Sequence, residues 1–219
     1  MIATILMLVP VLTVAINHHL TTRGKHHTVN YSPTMRFTVF GAIAYTVTGG
    51  VAALLCFMPV AKLTQFTHAS FGFQMLAVYA FFSMSMFGAM YFIVPRLVGG
   101  EWWSGKLINF HFWFSTYGIG AIVALLFIGG VMQAIGINHA WDEGFRYGVD
   151  SGRPLVTGAS LGFAFIILSD VVYLFHLCLM VCRRGLQSDD GPTLLHEPRH
   201  AETVDQASGD VAVIDPAKA

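Results

Sequence analysis

Asp170, Tyr173 and His176 follow one another at intervals of three residues inside an otherwise apolar run, Val156–Val181. On a helix that spacing lays a carboxyl, a phenol and an imidazole roughly along one stripe. A carboxyl near the centre of a membrane helix costs about 2.5–3.5 kcal/mol on insertion scales, so it calls for protein or water beside it. Two chemistries fit the stripe. One is a proton path running from Asp170 through Tyr173 to His176. The other is hydrogen bonding that ties this segment to its neighbours, which is the preferred reading. Further candidates are His18 and His19, at the end of the first apolar run, His68 and His111, at the starts of later runs, and Met75 within one. His68 and His111 each read first as a structural or interfacial residue. The cysteines offer less: of Cys56, Cys178 and Cys182 only the last two are close in sequence, and nothing beside them has zinc-site spacing. No metal site is expected.

The elements that carry these residues follow from composition. Of 219 residues, 55% are hydrophobic and 11% charged, with a mean hydropathy of +0.62. A soluble domain holds about 25% charged residues. The chain is expected to be an all-α integral membrane protein, because a helix satisfies its own backbone in lipid. Its formal net charge is zero, which suggests no nucleic-acid partner. Five spans are expected, at about 2–17, 37–58, 70–94, 110–135 and 156–181, in a transmembrane domain over 1–185. The last four exceed the ~20 residues needed to cross a bilayer. The first is short and contains Pro10, but no Lys or Arg precedes it and no small-x-small cleavage site follows it before His18, so an uncleaved helix is expected.

Lys and Arg set the orientation. Arg23, Lys25 and Arg36 follow the first span, Arg96 and Lys106 the third, and Arg183 and Arg184 the fifth, whereas the loop after the second holds only Lys62. The positive-inside rule then places the N-terminus outside and the C-terminus in the cytoplasm. Arg146 and Arg153, in the loop expected over 136–155, go against that rule. Residues 186–219 are polar and aperiodic and read as a disordered cytoplasmic tail that could dock a cytoplasmic partner. Gly49, Gly50, Gly72, Gly88, Gly118, Gly120, Gly129 and Gly130 are expected to allow close helix approach, and Trp102, Trp103 and Trp113 to form an interfacial belt.

The segment 66–96, FTHASFGFQMLAVYAFFSMSMFGAMYFIVPR, resembles helix ten of the catalytic subunit I of haem-copper oxidases, most closely the cbb3-type. LMLVPVLTVAINHHLTTRGKHH resembles helix eight, MRFTVFGAIAYTVTGG helix nine, INFHFWFSTYGIG the start of helix eleven, and the segment ending YLFHLCLMV helix twelve. The likeness covers about residues 4–184. It implies a five-helix transmembrane bundle like the last five helices of that subunit, in a bacterial inner membrane. In the family, helix ten carries a His-x-His pair that ligates the low-spin and the active-site haem. Those two positions fall on Phe73 and Met75. The copper-binding helices have no counterpart in this likeness, and His18–His19 aligns with the end of helix eight, so it is not the helix-seven pair. The resemblance thus implies no catalytic residue and no cofactor in this chain, with haem b on Met75, normally opposite a histidine, or on His68, His111 or His176 as the lesser alternative. The implied function is a non-catalytic or auxiliary subunit of a respiratory electron-transfer complex, partnered by other membrane subunits and lipid. Two alternatives stand beside it: the C-terminal half of a split working oxidase or nitric-oxide reductase, and a proton conduit centred on Asp170.

Overall fold

A computed structural model of the chain describes residues 2–24, 26–139 and 144–182, and every regular element among them is helical. The elements are α1 (Ile2–Thr22), α2 (His26–Tyr31), α3 (Pro33–Leu55), α4 (Met58–Thr64), α5 (His68–Met75), a π segment (Leu76–Ser83), α6 (Met84–Val98), α7 (Gly105–His139) and α8 (Gly144–Val181). Among the described residues, four stretches are long and apolar enough to cross a membrane: Pro33–Leu55, His68–Val98, Gly105–Asn138 and Arg146–Val181. Leu6–Thr22 is a shorter apolar helix. The expected tail, 186–219, lies outside the described residues.

Local chemistry sets the helix ends. The α3 start falls at Pro33 rather than near 37, because Ser32 is the N-cap, its Oγ accepting from the Met35 N–H at 3.4 Å, and proline is at home at the first helical position. Thr67 caps α5 in the same way through the Ala69 N–H. Gly99 ends α6 in the left-handed region, φ +70°, with its N–H on the Pro95 carbonyl at 2.9 Å. The loop expected over 136–155 is instead largely helical: α8 begins at Gly144 and runs through Pro154. Gly148 and Gly152 let these early turns lie against Gln133 and Gly129 of α7.

Neighbouring helices run antiparallel. Gly118 faces Gly162, Gly129 faces Gly152, and Gly136 faces Gly148, which fixes the α7–α8 register. Gly72 against Leu126 and Gly130 against Ala69 pair α5 with α7, while Gly41 against Ser85 and Gly88 against Thr38 pair α3 with α6. A Cβ built on Gly118 would lie 2.9 Å from the Gly162 carbonyl oxygen, so this approach requires glycine. Gly50 and Gly120, by contrast, face open space and serve no close packing. The antiparallel order gathers Arg36, Arg96 and Lys106 at one end of the bundle, the basic end.

The core divides into two apolar clusters. Toward the basic end, Phe37, Met84, Tyr91, Val94, Trp102, Ile108, Phe112, Tyr173 and Met180 pack together. Toward the other end, Ala44, Leu76, Ala80, Ile119, Ile122, Leu126, Ala159 and Ile166 do so. Trp102 departs from its expected place in an aromatic belt. It is 8% exposed, and its indole N–H donates to the Tyr91 carbonyl at 3.1 Å, so the loop after α6 folds it into the core. Trp103 and Trp113 stay exposed. Arg36 ties the start of α3 to Asn109 on α7 and lies over the Phe112 ring at 5.5 Å.

Candidate functional site

A band of polar side chains lies between the two apolar clusters. Asp170 is eleven residues before Val181, the last residue of α8. At 1.5 Å per residue this is roughly 16 Å from that helix end, about half of a ~30 Å hydrocarbon core. The π segment sends Tyr79 across to it, and the Tyr79 hydroxyl donates to Asp170 Oδ1 at 2.8 Å. The same hydroxyl lies 3.4 Å from Ser115 Oγ on α7, and Ser115 shares a hydrogen bond of 2.9 Å with Ser169 of α8. Ser169 Oγ in turn reaches the Ile166 carbonyl at 2.8 Å. Four polar side chains from three segments are thus linked by hydrogen bonds across the bundle.

His111 adjoins this band and is fully buried. Its Nδ1 shares a 2.8 Å hydrogen bond with the Tyr91 hydroxyl. Its Nε2 lies 3.9 Å from Asp170 Oδ1, too far for a hydrogen bond, and has no other partner. Aromatic rings enclose it: Phe87 at 4.5 Å, Tyr173 stacked at 5.0 Å and Phe37 at 5.2 Å. Toward the basic end, His176 accepts from the Ser104 N–H at 3.3 Å and packs against Trp102 at 4.8 Å.

Asp170, Tyr173 and His176 therefore share a helix stripe without bonding to one another. The Tyr173 hydroxyl and His176 Nδ1 are buried without partners, and the carboxyl bonds sideways to Tyr79. His68 is half-buried at the start of α5, where its backbone N–H donates to Gln133 Oε1 at 3.1 Å. His19 is exposed, and His18 is half-buried with its Nε2 unpaired. Sequence reasoning missed Tyr79, Tyr91, Ser115 and Ser169. The available signal was a hydroxyl at each position within an otherwise apolar run, but nothing in the pattern said which hydroxyls meet.

Phe73 and Met75 are two residues apart and point to different surroundings. Phe73 lines an apolar groove of about 290 Å³ with Met7, Val11, Tyr45, Gly49 and Phe81 among its neighbours. Met75 packs against the cluster that holds Ile119 and Ile122. The groove lining contains no histidine or cysteine. No group of three or more His, Cys, Asp or Glu side chains able to hold a metal ion occurs among the described residues. A haem held by His111 and His176 would need a clear slab between them, and Tyr173 and Trp102 fill that space with their own rings. The described residues do not fit a haem at these positions.

A sequence profile described as Cytochrome C and Quinol oxidase polypeptide I matches residues 1–176. The chain is 26% identical over 146 residues to a cytochrome c oxidase subunit 1 homolog of Agrobacterium tumefaciens (strain T37), covering 66% of this chain and 27% of that protein. It is 27% identical over 145 residues to the cbb3-type cytochrome c oxidase subunit CcoN1 of Stutzerimonas stutzeri, covering 66% and 31%. A cytochrome c oxidase subunit 1 homolog of Azorhizobium caulinodans is 23% identical over 209 residues, covering 93% and 34%. The chain spans about a third of the length of these curated relatives.

Proposed function

The chain belongs to the family of cytochrome c and quinol oxidase polypeptide I, and on that premise we propose that it is a non-catalytic membrane subunit of a respiratory electron-transfer complex. The proposed setting is a bacterial inner membrane, with the N-terminus outside, the C-terminus in the cytoplasm, and other membrane chains as partners. One observation carries this reading: Phe73 and Met75, which the resemblance sets at the family's two helix-ten haem-ligand positions, respectively line an apolar groove and pack against an apolar cluster. Phe cannot ligate iron, and Met75 packs, partly buried, against an apolar cluster. The helix frame is retained where its chemistry is not. Glycine contacts such as Gly118 on Gly162 keep α7 and α8 in close register.

The test is haem and metal content of the complex, isolated gently from native membranes, before and after this chain is stripped away. A pyridine haemochrome assay and elemental analysis give the counts, and mass spectrometry names the accompanying chains. An unchanged haem count with weakened assembly is the expected result. Haem leaving with the chain would refute the proposal.

A second reading, a proton conduit through Asp170, draws on the unpaired His111 Nε2 and Tyr173 hydroxyl beside it. Weighing against it, Trp102 and Met180 close the core toward the basic end, and Asp170 bonds across the bundle rather than along it. Under the conduit reading Asp170→Asn abolishes proton transfer while assembly survives. Under the structural reading it leaves turnover of the complex intact wherever assembly does.

A further inference from the structure

Asp170 stands at the edge of two stripes on α8. On one side run Ile166, Ser169, Tyr173 and His176, all buried against the bundle. On the other run Ile167, Val171 and Leu174, all exposed. The carboxyl itself is 41% exposed. Oδ1 takes the Tyr79 hydroxyl, while Oδ2 receives no hydrogen bond from any described residue. The fully buried His111 Nε2, aimed at the same carboxyl from 3.9 Å, is likewise unpaired.

Lipid chains on this face would leave Asp170 Oδ2 without a donor, at the depth where that is most costly. The neutralising group does not come from the described cations. Arg36 is engaged with Asn109, Arg96 lies over the Phe92 ring at 3.4 Å, and Lys106 stands at the far end of the span beside the start of α7. A second copy of this face would bring another carboxyl rather than a cation.

We propose that the exposed stripe beside Asp170 seats a transmembrane helix of another chain, which brings an arginine or lysine to mid-depth and pairs it with this carboxyl. The inference rests on the reading of the chain as a subunit of a membrane complex. It adds the position of the contact, the carboxyl that anchors it and the chemistry of the partner. Ile167 and Leu174 supply the apolar contact on either side of the charge.

The test is site-specific photo-crosslinking in native membranes of the full chain, with benzoylphenylalanine at Ile167 or Leu174 and a control at Leu54 on α3. The expected adduct from both α8 positions is one membrane-spanning peptide that contains Arg or Lys, and Leu54 does not give it. Asp170→Leu should lower its yield about three- to fifteen-fold, and Asp170→Asn, which keeps the size and one acceptor, by less. Lipid adducts alone, a peptide without a cation, a second copy of this chain, or a yield indifferent to Asp170→Leu would each overturn the proposal. Co-purification of this chain with its complex separates the two levels. If membrane chains accompany it and these adducts are missing, the docking inference alone fails. If none accompanies it, the subunit reading fails as well.

Discussion

The Tyr79–Asp170 hydrogen bond makes a prediction whose size can be worked out. Replacing Tyr79 by Phe removes the hydroxyl that donates to Asp170 at 2.8 Å and leaves the ring in place. The same change takes away the hydrogen bond to Ser115, which is long at 3.4 Å and adds little. Hydrogen bonds between membrane helices average about 0.6 kcal/mol in double-mutant cycles and reach about 1.7. Two features set the place in that range. The acceptor is a carboxyl, which raises the value, but it is 41% exposed, which lowers it. A coupling of about 0.6–1.1 kcal/mol follows, roughly three- to sixfold in the unfolding equilibrium. The cycle uses Tyr79→Phe, Asp170→Leu and the double variant, each purified alone in mixed micelles and titrated with SDS. Tryptophan fluorescence is a suitable readout, because Trp102 is buried against Tyr91 and His176. On the isolated chain Asp170→Leu should be nearly neutral, since the lost bond is offset by removal of a half-open carboxyl from the apolar layer. Tyr79→Phe should therefore destabilise the parent and barely affect the Asp170→Leu background. Additivity of the two changes within about 0.3 kcal/mol would show that the bond contributes nothing and that the polar band does not tie the helices together.

Three other outcomes are expected. Gly118→Leu should cost about 1–3 kcal/mol by forcing α7 from α8, while Gly120→Leu, which enters open space, should stay within about 0.5 kcal/mol in the same titration. In single-cysteine variants on right-side-out vesicles, an impermeant maleimide should label Cys56, just past the end of α3, and should reach Cys182 only after permeabilisation; the reverse pattern would overturn the proposed orientation. Trp102→Phe should lose about 1 kcal/mol, because the Tyr91 carbonyl gives up the indole donor while the aromatic packing largely remains.

The membrane class and the helical frame could be read from the chain because long apolar runs with few charges admit one backbone solution. Helix ends were less legible. Ser32 with Pro33 starts α3 earlier than hydropathy alone suggests, and the small residues Gly148 and Gly152 extend α8 through a stretch whose charges read as a loop. Asp170 could be picked out because a lone acid in an apolar run has few explanations. Its partner could not, because Tyr79 lies in a segment whose bonding departs from the 3.6-residue period on which face assignments rest. Trp102 was misplaced for a related reason: an indole near a helix end suits an interfacial belt or a core equally well, and only the return of the 99–104 loop decides between them.

The π segment has a consequence for how this helix tolerates changes in length. Eight residues, Leu76–Ser83, follow a backbone repeat wider than the α-helical turns on either side, and the Ser83 hydroxyl reaches the Val78 carbonyl, five residues back. Such a stretch stores surplus chain within a continuous rod. Deleting one residue there could relax it toward ordinary α geometry. The half that holds Phe73 and Met75 would then keep nearly its present phase against the half that holds Tyr91, because the wider repeat turns each residue by less than the ~100° of an α-helix. The same deletion inside α6 has no slack to absorb it and would break the seat of Gly88 on Thr38. The segment therefore acts as a length buffer between the two core layers, where one residue can be lost while both ends of the helix stay docked.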